Sequence, residues 1–441
     1  MLVNQKNRIA LISVSGDPAA EIGQEEAGGQ NVYVRQVGLA LAQQGWLVDM
    51  FTRRISPNQD AVVQHTRNCR TIRLTAGPAK FIGRDEVFAY LPEFVKQVQA
   101  FQQQEQIQYS LVHTNYWLSS WVGMELKKHQ PIKQVHTYHS LGAVKYGAVT
   151  DIPAIASTRL VVEKTCLETV DRVVATSPQE EEHMRKLVSS KGAVEMIPCG
   201  TDIQRLGAIS RLAARQQIGI SAEAKVVLYV GRFDRRKGID SLVKAIAQSK
   251  WRGNPDLKLI IGGGFRPGQS DGIECDRIKG IVKELNLDAC TTFSGRLTEA
   301  ELPIYYAAAN VCVVPSHYEP FGLVAIEAMA CRTPVVASNV GGLQFTVVPE
   351  VTGLLVPPQD DTAFAQAIDR ILSNPAWGEQ LGQMGRQRVE IALSWDSVAS
   401  RLTCLYNRLL SQTAPVSTKT PLGSSVTLLT PDVLKVRGSV A

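Results

Sequence analysis

The chain has 441 residues, 44% hydrophobic, 6% aromatic and 20% charged. That is an ordinary globular balance, too long for one core and suited to two α/β domains of about 200 residues each. Its 47 Lys and Arg exceed its 41 Asp and Glu by six, and no run of like charge gathers that excess into the stripe of a nucleic-acid binder. Eight cysteines, none in a C-x-x-C pair, argue against a disulfide framework or zinc site and fit reduced thiols in a cytoplasmic protein.

In chain order, the apolar run Ile9 to Val14 ends at Ser15-Gly16-Asp17 and predicts a buried strand over 8–15. It is too short for a signal peptide or a bilayer span, so no membrane association is expected. An amphipathic stretch over 31–44 stops at Gly45, as a helix C-cap does. Strands are predicted at 47–52, 71–74, 110–113, 134–139, 172–176 and 194–197, with a helix over 91–104. Apolar runs separated by helices imply parallel strands with crossovers. After Pro198-Cys199-Gly200 the pattern restarts, which places a hinge near 199–215. Strands follow at 225–230, 257–261, 291–293, 311–314, 334–337 and 353–356. A last helix over 394–411, with Ser394 as N-cap, is expected to pack back on the first domain, and 412–441 reads as a loosely ordered tail. The expected fold class is α/β: two doubly wound Rossmann-like domains, 1–200 and 201–393, facing a central cleft. Ligands of such sheets bind at the carboxyl ends of the strands.

Three motifs sit at those ends. His317-Tyr318-Glu319-Pro320-Phe321-Gly322-Leu323 follows a strand and runs on to Glu327 and Ala330. A helix starting at about Phe321, with Pro320 at its start, would point the amides of Phe321, Gly322 and Leu323 at an anion. Glu319 precedes that helix and Glu327 lies about two turns into it, so one can reach a sugar and the other a ribose. Glu327 stands inside an apolar run, where a carboxylate needs partners. The second motif, Val230-Gly231-Arg232-Phe233-Asp234-Arg235-Arg236-Lys237-Gly238, sets two cations, Arg232 and Lys237, beyond a strand where they can grip phosphate. The third, Glu26-Ala27-Gly28-Gly29-Gln30-Asn31, opens a helix with two glycines. It is not G-x-G-x-x-G, so no nicotinamide cofactor is implied.

Together these motifs resemble the retaining GT-B glycosyltransferases of family four, over roughly 8–410 of this chain. The resemblance implies that Arg232 and Lys237 hold a donor diphosphate, with Phe321, Gly322 and Leu323 at its helix N-terminus. It further implies Glu327 at the ribose, Glu319 at the sugar hydroxyls, Gly29 beside the phosphate and the backbone near Leu297 at the base. Gly262-Gly263-Gly264 looks like a further donor-side loop.

For the acceptor, Thr137-Tyr138-His139-Ser140-Leu141-Gly142-Ala143-Val144-Lys145 follows a first-domain strand, which puts His139 in the cleft. The H-S-L-G-x-x-K spelling, with Gly28-Gly29-Gln30, looks like the sucrose-phosphate synthases, which move glucose from UDP-glucose to fructose 6-phosphate. In that group the residue matching Gln30 touches the fructose. Asn115-Tyr116-Trp117-Leu118-Ser119 is instead more like the transferases that act on inositol 3-phosphate. Both groups take a phosphorylated acceptor, so a second anion site is expected from Lys80, Tyr116, Ser140, Lys145 and Arg159. The expected partners are UDP-glucose and a phosphorylated sugar, with a separate phosphatase needed to release free sucrose. No Asp-x-Asp stands where a metal-dependent transferase holds its ion, so the expected chemistry uses no metal and no cofactor. Retention with no evident nucleophile suggests front-face attack, with the leaving phosphate taking the acceptor's proton and His139 steadying the sugar. Sucrose synthase, with unphosphorylated fructose, an epimerase or hydrolase on the same double sheet, and a non-enzymatic nucleotide-sugar sensor are the alternatives. The donor base (UDP, ADP or GDP) and the oligomeric state stay open.

Overall fold

The computed structural model describes residues 7–20, 28–147 and 152–412. Glu26, Ala27 and the expected tail beyond Gln412 lie outside the described residues.

The first sheet holds β1 (Arg8–Ile12), β2 (Leu47–Arg53), β3 (Val62–Thr66), β4 (Cys69–Leu74), β5 (Leu111–Asn115), β6 (Lys133–Thr137), β7 (Arg172–Ala175) and β8 (Val194–Met196). Its order is β3-β4-β2-β1-β5-β6-β7-β8, parallel throughout except for β3 against β4. Edge strand β3 has no counterpart in the expectation. Its side chains alternate between exposed and half-buried, so it lacks the apolar run that marks a strand covered on both faces. The central strands carry such runs: Ile9, Ala10, Leu11 and Ile12 are all buried.

The second sheet holds β9 (Lys225–Val230), β10 (Leu257–Gly262), β11 (Thr291–Gly295), β12 (Val311–Val314), β13 (Val335–Ser338) and β14 (Gly353–Val356), all parallel, in the order β11-β10-β9-β12-β13-β14. Strand order reverses between β1 and β5 in the first sheet and between β9 and β12 in the second. Loops leaving the carboxyl ends on either side of such a reversal run in opposite directions and leave a crevice.

The chain crosses between the sheets twice, side by side. Thr201 N donates to Leu393 O at 2.8 Å and Trp395 N to Thr201 O at 3.3 Å. A Cβ on Gly200 would sit 2.7 Å from Trp395 N, so only glycine fits there. Ser394 Oγ accepts from Ser397 N and starts the helix Trp395–Ser411. That helix lies against the first domain: Tyr406 OH meets His113 Nδ1 at 2.6 Å and Trp46 Nε1 donates to Thr403 Oγ1 at 3.0 Å. Leu402, Leu405, Tyr406 and Leu409 are buried there, and each such side chain contributes about 1.5–3 kcal/mol. No described helix is long and apolar enough to cross a membrane.

Candidate active site

On the second domain, backbone bonds join the loops at the sheet's carboxyl edge. Gly231 N donates to Gly262 O at 2.9 Å and Gly263 N to Gly295 O at 2.8 Å. A Cβ on Gly263 would lie 2.2 Å from Gly231 O, which explains the glycine run. Asp234 caps the short turn Arg235–Lys237, accepting from Arg236 N. Gly238 follows in the left-handed region, φ 64°, and a Cβ there would meet Pro315 O at 2.1 Å. His317 N donates to Arg236 O at 2.7 Å. These contacts bind the loop after β9 to the loop after β12, which brings Lys237 Nζ to 2.5 Å from Glu319 Oε2. Arg232 lies exposed in the same loop, its carbonyl accepting from Tyr229 OH.

The helix after Glu319 starts later than expected. It runs Leu323–Ala330 with Gly322 as its N-cap at φ 95°, so Pro320 lies before the cap and not inside the first turn. The reason is packing: a Cβ on Gly322 would lie 2.6 Å from Leu343 Cδ2, and the segment before it is held by Thr346 Oγ1 donating to Phe321 O. The amides of Phe321, Gly322, Leu323 and Val324 have no acceptor among the described residues, so the open donors include the three expected ones and extend one residue further. Phe321 itself is buried. Glu327 has the partner its apolar setting demands, Tyr306 OH at 2.7 Å. Burial raises its pKa, and the Tyr306 bond and nearby Arg205 oppose that shift. Leu297 is buried against Gly262.

On the first domain, Gln30 Nε2 reaches Ser13 Oγ at 3.0 Å and Asn115 O at 3.5 Å, so it spans the loop after β1 and the carboxyl end of β5 at the strand-order reversal. His139 has φ 61°, contacts Asn115 Oδ1 through Nε2 at 2.9 Å, and meets the Tyr33 ring edge-to-face at 4.8 Å. Asn115 Nδ2 donates to His113 O, which turns Oδ1 toward the imidazole. Burial pushes His139 down to about 3. The neutral ring therefore donates from Nε2 and keeps a lone pair on Nδ1 for a hydroxyl.

Tyr116 caps its helix at φ 73°, ψ 155°, a region that costs a non-glycine residue about 1–3 kcal/mol. The arginine expected to supply charge holds it in place. Arg159 Nη1 donates to Tyr116 OH at 3.1 Å, Nη2 to Ser140 O and Oγ at 2.8 and 3.0 Å, and Nε to Glu163 Oε1 at 2.7 Å. Glu163 also accepts from Gly142 N, and a Cβ on Gly142 would crowd its Oε2 at 3.0 Å. Arg159 is 1% and Glu163 0% exposed. Arg159 thus joins the expected cluster, and its guanidinium is paired within it with Glu163. Lys145 is exposed beside it, its pKa lowered by burial of part of its length and by Arg159. Lys80 is exposed and its carbonyl accepts from Arg53; among the described residues its side chain makes no hydrogen bond or ion pair to the cluster. The sequence reading missed Glu163, although its place four residues after Arg159 on a helix was a usable signal. It also missed Arg84, whose guanidinium lies 5.6 Å from the Tyr116 ring centroid.

The two walls meet. A Cβ on Gly29 would lie 3.3 Å from Leu323 Cδ1, and Leu141 and Glu180 of the first domain line one gap with Tyr318 and Pro320 of the second.

Comparison with known proteins gives this arrangement a family. The model described as Glycosyl transferase 4-like domain matches 28–200, and that described as Glycosyl transferases group 1 matches 210–388. A solved sucrose-phosphate synthase from Thermosynechococcus elongatus is 53% identical, with TM-score 0.84, and the match covers 92% of this chain and 100% of that one. A D-inositol 3-phosphate glycosyltransferase from Kineococcus radiotolerans is 35% identical over 92% of this chain and 96% of its own length. An Anabaena protein solved with UDP and glucose, 19% identical with TM-score 0.69, covers 90% of this chain and 99% of that one and shares the fold. With two parallel-sheet domains and both family models matched, the chain belongs to the group 1 glycosyltransferases of the GT-B fold.

Proposed function

We propose that this glycosyltransferase moves glucose, with retention, from UDP-glucose to fructose 6-phosphate, giving sucrose 6-phosphate and UDP. The observation that carries this reading is the 53% identity to the Thermosynechococcus sucrose-phosphate synthase, well above the 35% to the Kineococcus inositol 3-phosphate enzyme. Gln30, Tyr116, Ser140 and Lys145 form the acceptor side, and Lys145 supplies the accessible charge for the sugar phosphate.

On the donor side, a diphosphate competes with Glu319 for Lys237 Nζ. Taking Lys237 releases the carboxylate to accept from sugar hydroxyls. Arg232 and the open amides of Leu323 and Val324 complete the anion's ring of donors, and Glu327 takes the ribose. In the transfer step the acceptor hydroxyl oxygen bonds to the anomeric carbon while the bond from that carbon to the phosphate oxygen breaks. The diphosphate leaves with the electron pair and receives the acceptor's proton, on the same face of the sugar. Negative charge grows where Arg232, Lys237 and the helix N-terminus already stand, so neither a metal nor a cofactor is required. His139 Nδ1 steadies a sugar hydroxyl. The product still carries its phosphate, and free sucrose requires a separate phosphatase.

The curated relatives favour a second reading, inositol 3-phosphate as acceptor. UDP release from UDP-glucose, measured with fructose 6-phosphate, inositol 3-phosphate and fructose side by side, tests both. Turnover is expected with fructose 6-phosphate; faster turnover with either competitor overturns the assignment.

A further inference from the structure

We propose that Arg35, which belongs to the acceptor-side domain, is a positioning residue for the nucleotide sugar, acting through the loop that takes the base. The inference rests on reading Leu297 and Glu327 as the base and ribose side of the donor site.

The loop after β11 is held by two arginines that come from outside its own sheet. Arg35, on the first-domain helix Gly29–Gln43, pairs with the Glu299 carboxylate. Arg205, in the connector between the domains, donates through Nη1 to the Glu299 carbonyl. Arg205 is itself fixed by Asp202, whose Oδ1 accepts from its backbone N at 3.0 Å and whose Oδ2 lies 3.5 Å from its Nε. Glu299 is two residues from Leu297, and Arg205 and Glu299 both act on the Glu327 carboxyl. The base loop is thus braced by the front domain and the connector.

The same front-domain helix touches the donor wall at a second point, where Gly29 meets Leu323. Arg35 follows Gly29 by six residues, about 9 Å along the helix axis. One rigid element therefore contacts the phosphate end of the donor site with its N-terminus and the base loop with Arg35. Without Arg35, Glu299 would stand as an uncompensated acid beside Glu327, facing an anionic ligand. The pair is 18% and 40% exposed, so it contributes little to folding. Its effect falls on how firmly the base loop is held when the two domains are together. By linkage, a nucleotide that favours the held loop favours the approach of the front domain equally.

The test uses the full chain as R35E, E299R and the double reversal R35E/E299R. UDP affinity is read by calorimetry, and KM for each substrate by steady-state rates. Each single reversal is expected to raise the UDP Kd and the donor KM roughly fivefold to tenfold, to leave the KM for fructose 6-phosphate within about twofold, and to keep the unfolding midpoint. The double reversal and Arg35→Lys should both restore donor affinity, which a merely structural role would not produce. Single reversals with unchanged UDP Kd, or a double reversal no better than either single, overturn the proposal. Glu327→Gln separates the two levels: if it binds UDP normally, the donor-site reading falls and this inference falls with it. If it loses affinity while R35E does not, only the role of Arg35 falls.

Discussion

On the rear wall, Lys237 stands on a three-residue turn, 25% exposed, and pairs with a single carboxylate. On the front wall, Arg159 is 1% exposed, and its donors reach Glu163, Tyr116 and Ser140. Under the proposed function the first cation exchanges Glu319 for an incoming phosphate at modest cost, because it is partly exposed to water. The second cannot leave Glu163 without stranding a buried acid. A basic residue near an anion site can therefore be either the charge that binds or the frame that holds others in place. Under the proposed function the rear wall provides the first and the front wall the second. Arg159 fixes the hydroxyls of Ser140 and Tyr116 and holds Tyr116 in its strained conformation, and under the proposed function Lys145 is the exposed cation for the acceptor phosphate.

The sharpest way to break this contrast is Arg159→Ala. Leaving Glu163 buried and unpaired should cost about 3–5 kcal/mol of stability, read by urea unfolding. Wild-type stability would mean that the Arg159 charge is free for ligand after all. Next is Lys237→Ala, expected to lower turnover by on the order of 10²–10³ with the unfolding midpoint unchanged. A loss of stability equal to that of Arg159→Ala would erase the distinction between the walls. The smallest effect concerns His139. Burial holds its folded pKa at about 3, below the ordinary 6.5. Between those values the unfolded chain binds more protons, so this group's stability contribution, present above pH 6.5, is lost as pH falls toward 3. His139→Asn should therefore show a shallower fall in melting temperature from neutral to acid pH. An imidazole that titrates near 6.5 by NMR in the folded protein would remove the neutral hydroxyl acceptor from the site.

Much of this was legible beforehand because it is local. The parallel strands showed as apolar runs, and Gly322 and Gly238 stood between a strand and a helix, where the structure gives both a positive φ. Glu327 announced a partner because a carboxylate in an apolar run must have one. Strand β3 escaped because an edge strand with one wet face has no apolar run. The helix start was misplaced by two residues because Leu343, some twenty positions on, decides where the chain can turn.

The sequence by itself determined the two α/β halves, the glycine turns at their carboxyl edges, and the residue types able to grip two anions, because strand periodicity, turn chemistry and charge are properties of neighbours along the chain. Only the tertiary structure decided which cations are free. Lys237 meets Glu319 82 positions away and Arg35 meets Glu299 264 positions away. Whether an arginine binds a ligand or braces a loop depends on burial, and burial is fixed by what packs over it from elsewhere in the fold.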